Sequence, residues 1–126
     1  MAEPEPSGVE IHQREGFVEA FYTGPYSLMR YKNQILESVR ACEQKGAALL
    51  LVDFRGITDF TPSTQERYQL GRYGAEVSRK LDKVAILGRA EQFEPDAFAT
   101  LVARNRGLKI QPFTDREAAV KWLLKK

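Results

Sequence analysis

Asp53, Arg55, Thr58, Asp59, Thr61 and Ser63 crowd the stretch directly behind the apolar run Leu49, Leu50, Leu51, Val52 and Phe54. Carboxylates, a guanidinium and hydroxyls at this spacing can pair with one another or hold an anion. Hydroxyls at a helix start can also cap it, accepting from the free backbone amides of the first turn. Asp53 and Arg55 share strand parity, which predicts a local salt bridge that organises the following segment. Nucleophilic chemistry needs a base beside the nucleophile, and the sequence supplies neither partner in a usable place. Cys42 falls on the stripe Leu28, Tyr31, Ile35, Val39 and reads as a small buried hydrophobe. His12, the only histidine, sits among polar residues and reads as solvated. A lone histidine and a lone cysteine make no zinc spacing. The reading is therefore non-enzymatic, with no catalytic residue, no metal and no cofactor.

The elements around these residues follow from periodicity. Val9 and Ile11 alternate with Glu10 and His12, Glu15-Gly16 is a turn signal, and Phe17 to Tyr22 forms a second run, which predicts an opening hairpin that Thr23-Gly24-Pro25 ends. Leu28 to Cys42 at helical spacing, stopped by Gly46, predicts a helix of about five turns. The run from Ala47 to Phe54 is too continuous for a strand with one wet face, so both faces must be covered. Thr61-Pro62 reads as an N-cap with proline at the first helical position. Leu70, Gly74, Val77 and Leu81 form the inward stripe of that second long helix, and Gly71, Gly74 and Ala75 flatten it for close packing on the sheet. Lys83 to Leu87 is a further buried strand. Pro95, then Phe98, Leu101 and Val102 on one face and Gly107 behind them, mark a third helix. Leu108 to Phe113 is the last strand, and Thr114 with Glu117 reads as the capping box of a closing helix whose inner face is Ala119, Trp122 and Leu123. The order is β-β-α-β-α-β-α-β-α. It predicts a single α/β domain, residues 9–126, with a mostly parallel central sheet, one antiparallel strand, and flanking helices. Residues 1–8, acidic and proline-rich, read as a flexible tail and as neither a signal peptide nor an anchor.

A chain of 126 residues with 43% apolar and 29% charged residues is ordinary for one folded unit with its own core. The net charge of +2 gives weak attraction for nucleic acid or anionic lipid, so neither is an expected partner. No apolar stretch approaches the roughly eighteen residues that cross a bilayer. A single cysteine excludes an internal disulfide, and the expected location is a reducing cytoplasm.

Arg67, Tyr68, Arg72, Tyr73, Arg79 and Lys80 give the second helix a basic, aromatic outer side, interrupted by Glu66 and Glu76. This pattern fits a solvated or protein-contacting face better than a nucleic-acid groove. Arg104 and Arg106 complement the dipole at the end of the third helix. Ligands of open α/β sheets sit at the carboxyl ends of the strands, which makes Arg55, Arg89 and Thr114 candidates for holding a nucleotide, anion or lipid.

The element order, together with LLLVDFRGITDFTPS, KVAILG, FATLVARNRG and FTDREAAVKWLL, resembles the STAS domain family of sulfate transporters and anti-sigma factor antagonists, most clearly from Ala47 to Leu124. The resemblance implies a regulatory module that binds a protein partner: an anti-sigma factor, a regulatory kinase or another signalling protein; a homodimer is a separate expectation. In the phosphorylated antagonists an aspartate and an acceptor serine follow the central strand, and these positions fall on Thr61 and Pro62. Proline cannot accept a phosphoryl group. Ser63 and Thr61 are then the candidate acceptors, and Arg55, Thr58, Asp59, Tyr68, Arg72 and Tyr73 the candidate partner-binding residues.

Overall fold

Leu50, Leu51 and Val52 end up in the middle of a five-stranded sheet, sealed on both faces. The computed structural model describes residues 7–93 and 97–126, so most of the tail and Pro95 lie outside the described residues. The chain runs β1 (Val9–Arg14), β2 (Phe17–Pro25), α1 (Leu28–Lys45), β3 (Leu49–Thr58), α2 (Thr64–Val77), β4 (Lys83–Leu87), a short 3-10 turn (Ala90–Phe93), α3 (Phe98–Asn105), β5 (Ile110–Phe113) and α4 (Arg116–Leu124). Spatial order equals sequence order. The β1-β2 pair is antiparallel and every other pair parallel, as the hairpin followed by strand-helix alternation requires.

Strand parity divides the core. Val18, Ala20, Tyr22, Leu50, Val52, Phe54 and Val84 face α1, α2 and α3, whereas Phe17, Leu51, Ala85 and Leu87 meet Ala119 and Leu123 of α4. Three helices thus cover one face and a single helix covers part of the other. Gly46 closes α1 at a φ of 65°, a conformation that favours glycine, with its N–H on the Cys42 and Glu43 carbonyls.

Several boundaries differ from the sequence reading, each for a local reason. Thr23-Gly24-Pro25 does not end β2: after a register shift between Phe21 and Thr23, Gly24 pairs with Ile57 and Pro25 with Thr58. A bulge absorbs one residue and lets pairing resume, so β3 continues through Arg55 to Thr58, past Phe54 where the apolar run ends. The N-cap of α2 is Ser63, not Thr61, because Ser63 and Glu66 satisfy each other's backbone amides in a capping box. The cap of α4 likewise moves by one residue, to Asp115, whose carboxylate accepts from the Ala118 N–H at 3.1 Å. Gly71 packs against α3, not the sheet; a Cβ there would lie 2.5 Å from the Ala99 carbonyl oxygen and 2.7 Å from Val102 Cβ. Gly74 has no neighbour that close, and the helix ends at Val77, leaving the buried Leu81 to the turn beyond. The contact with α2 also turns α3 so that Thr100, Val102 and Ala103 face inward, while Leu101 is 44% exposed. The last strand starts at Ile110, later than Leu108, which is buried ahead of it.

Candidate functional site

The carboxyl end of β3 runs directly into the segment before α2. Thr58 is exposed, and its carbonyl accepts from the Tyr26 N–H at 2.9 Å, joining the two strand exits. Asp59 turns the chain at a φ of 54°, in the left-handed region that aspartate tolerates better than most residues. The Thr61 hydroxyl donates to the Asp59 carbonyl at 3.4 Å, and the Ser63 hydroxyl accepts from the Glu66 N–H at 3.1 Å. Both hydroxyls are on exposed residues, and both are engaged in shaping the turn. Pro62 is buried just ahead of the cap. Beneath the segment lies an aromatic floor in which Phe60 packs edge-on to Tyr26 at 5.1 Å and to Phe54 at 5.2 Å. Glu66 accepts from the Tyr26 hydroxyl at 3.3 Å, and burial, with the Glu66 charge beside it, pushes that phenol well above its ordinary pKa.

Buried Gln92 ties this edge to β3. Its amide donates to the Phe54 carbonyl at 3.0 Å, its side-chain oxygen accepts from the Arg89 N–H at 2.7 Å, and its backbone carbonyl accepts from buried Arg67 at 3.3 Å. Arg89 donates to the Arg55 carbonyl and pairs with Glu91 at 2.8 Å. Arg55 and Arg89 are therefore neighbours, whereas no hydrogen bond joins Thr114 to either among the described residues.

The outer side of α2 splits the predicted anchors. Tyr68 and Tyr73 are five residues apart, which at 100° per residue puts them about 140° apart around the helix. Tyr68, 39% exposed, lies on the α3 side, with Arg72 over its ring at 5.7 Å and Arg106 donating to its hydroxyl at 3.3 Å. Tyr73 lies on the α1 side under Lys32, 5.3 Å from its ring centre. Met29, at the start of α1, is 71% exposed beside the strand exits and was not legible as a surface residue, because it sits next to an apolar stripe.

Arg55 points the other way. Its parity directs it to the α4 side, where it grips Asp53 through two bonds of 3.0 and 2.8 Å, the predicted salt bridge. That interaction raises the Arg55 pKa above its usual value. Next to this pair lies a second one that sequence reasoning missed. Glu19, with no exposed side-chain surface, accepts from Arg14 at 2.9 Å and from Arg116 at 3.0 and 2.7 Å. Burial alone would raise its pKa, but the hydrogen bonds from Arg116 and Arg14 prevail and hold the carboxyl below its ordinary value. The available signal was one acidic residue inside the apolar run Phe17 to Tyr22.

A cavity of about 90 Å³ lies between α2, α3 and the sheet, lined by Leu50, Leu70, Gly74, Ile86, Ile110 and others, with Arg67 and Gln92 among its few polar walls. Cys42 is fully buried elsewhere in the same layer, and burial pushes its thiol up to about 11. His12 is half-exposed on β1, 3.1 Å from a Glu10 oxygen and edge-on to Phe21. Among the described residues no cluster of three metal-ligating side chains occurs, and no helix is long and apolar enough to cross a membrane.

No family model and no curated protein matches the chain by sequence. Its shape does have relatives. A solved anti-sigma factor antagonist from Mycobacterium paratuberculosis superposes with a TM-score of 0.65 at 12% identity, over 93% of both chains. The fold is that of the STAS domains. An uncharacterized protein of the DUF3478 family from Shewanella loihica, described as having a SpoIIAA-like fold, matches with a TM-score of 0.53 at 20% identity over 91% of each chain. In this fold β3 leads directly through the Asp59 turn into α2, while Arg55 is turned to the α4 face of the sheet.

Proposed function

We propose that this STAS-fold chain is a non-catalytic regulatory module that binds a protein partner through Thr58, Asp59 and the outer ridge of α2, without a phosphoryl switch. The observation that carries the reading is the ridge itself, where exposed Tyr68 is held under Arg72 and beside Arg106, and Tyr73 under Lys32. Tyrosine and arginine dominate interface energetics, and a ring already fixed by a cation loses little freedom on binding. The likeness to an anti-sigma factor antagonist supports the same direction. Co-purification from the native host tests it with Tyr68→Ala/Arg72→Glu and Tyr73→Ala variants. Loss of a wild-type partner from either folded variant is expected, and retention of every partner by both would overturn the proposal.

The cavity supports one alternative, a carrier or sensor of a small apolar molecule held in the space beside Gly74, separate from the sequence-derived candidates Arg55, Arg89 and Thr114. Filling that space with Gly74→Leu should abolish a thermal stabilisation seen with such a ligand. A stabilisation that survives the substitution would remove this reading.

A further inference from the structure

The open part of the α4-side sheet face carries a second cluster that the docking reading does not use. Register pairs Glu19 with Leu51 and Phe21 with Asp53, so Glu19 and Asp53 project from neighbouring strands on the same face. Strand spacing and rise place their backbones about 8 Å apart. Glu19 holds Arg14 and Arg116, Asp53 holds Arg55, and the Arg55 and Arg116 charges are felt by each other and by both carboxylates. Three guanidiniums against two carboxylates leave one net positive charge.

The carboxylates are buried, whereas the arginine side chains are 39%, 45% and 44% exposed for Arg14, Arg55 and Arg116. Arg55 and Arg116 each give Nε and Nη2 to a carboxylate, and Arg14 gives Nε. A guanidinium has five N–H groups in one plane. The Nη1 groups of all three, and Arg14 Nη2, make no hydrogen bond among the described residues.

Packing does not require this arrangement. Leu51, Ala85 and Leu87 on the same face are covered by Ala119 and Leu123, and a buried ion pair is generally no more stabilising than apolar residues of similar volume. What the carboxylates do supply is orientation, because they lock three otherwise flexible forks before any ligand arrives. Guanidinium forks match the geometry of phosphate and carboxylate groups.

We infer that Arg14, Arg55 and Arg116, oriented by Glu19 and Asp53, form a binding site for one compact oxyanion of the phosphate type. Its floor includes half-buried Phe21, against which His12 stands at 5.4 Å. The rim argues against an extended polyanion: Glu10 lies on the same face, on the rung of Phe21, and Asp115 precedes Arg116 as the α4 cap. A single phosphate group fits between such acids where a nucleic-acid backbone would be repelled.

The full chain is titrated with inorganic phosphate and, separately, with adenosine monophosphate, at constant ionic strength against chloride, reading thermal stability and the arginine Nε–Hε signals by NMR. Saturable stabilisation with shifts at Arg55 and Arg116 is expected, weakened at least tenfold in Arg55→Gln and Arg14→Gln and unchanged in Arg40→Gln, an exposed arginine of α1 outside both proposed sites. Tighter binding of the nucleotide would identify an ester as the natural source, and tighter binding of phosphate the free ion. No phosphate effect beyond that of chloride, equal binding by Arg55→Gln, or loss in Arg40→Gln would overturn the site. Melting of each variant without ligand confirms that it folds.

Discussion

Arg116 reaches across 97 positions of sequence to clasp both oxygens of Glu19, at 2.7 and 3.0 Å. The last helix is thereby fastened to the opening hairpin, on the face of the sheet where it has no neighbouring helix. Ala119 and Leu123 supply the apolar part of that attachment, over Leu51, Ala85 and Leu87. The ion pair supplies its direction, because a bidentate contact fixes the start of α4 in a way that apolar burial does not.

Glu19→Gln should destabilise the fold by about 3 kcal/mol at neutral pH, the low end for breaking a buried pair, since both arginines reach water. The carboxyl pKa is depressed in the fold. Its contribution is therefore present above the unfolded value near 4.3 and is lost as pH falls through the lower folded one. Chemical denaturation between neutral and acid pH checks this. The wild type should lose stability below about pH 4.3 more steeply than Glu19→Gln, and parallel curves would refute the assignment.

Much of this architecture was legible. The apolar run at Leu49 to Phe54, the stripe through Tyr31 and Cys42, and the stop at Gly46 each carry their period and boundary locally. The Asp53-Arg55 pair was readable for the same reason, since both residues lie on one strand two positions apart. What was hidden depends on pairing between distant segments. The bulge after Phe21 extends β2 and β3 past residues that look like turn formers, and nothing near Thr23 announces Ile57 as the neighbour of Gly24. Glu19 and Arg116 become partners only once α4 has chosen its face. The shift of the α2 cap from Thr61 to Ser63 was a competition between two good signals, and the reciprocal bonds with Glu66 decided it.

Gly71 and Gly74 lie one turn apart in α2 and should respond oppositely to alanine. At Gly71 the new methyl would overlap the Ala99 carbonyl oxygen and Val102, forcing α3 away, and a loss of about 1–3 kcal/mol is expected. At Gly74 it meets nothing within 4 Å, so the gain in helix propensity should add about 0.5–1 kcal/mol. Urea melts of the two variants separate the cases, and stabilisation by Gly71→Ala would contradict the close approach of the helices.

Cys42 should be inert to thiol reagents in the folded chain and reactive in denaturant, because it is fully buried and its thiol ionises only near 11. The sign of the pH effect is opposite to that of Glu19. The neutral form is favoured by the fold, so stability should decline as pH rises from about 8.5, where the unfolded thiol ionises, towards that value. Cys42→Ala should remove this alkaline component, and labelling of the native protein as fast as of the unfolded one would refute the burial.

Ser63 decides whether this junction is a cap or a switch. As a cap, its oxygen holds the Glu66 N–H while the Glu66 carboxylate holds the Ser63 N–H, so Ser63→Ala should cost about 1 kcal/mol and Ser63→Asp, another good N-cap, much less. A phosphate on the same oxygen would bring up to two negative charges against the Glu66 carboxylate, which the helix dipole offsets only in part. The capping geometry therefore opposes modification even though the residue is exposed. Intact-mass spectra of the chain from its native host should show the unmodified species under all growth conditions. A phosphorylated form mapping to Ser63 or Thr61 would restore the switch and overturn the reading of this edge as a constitutive docking surface.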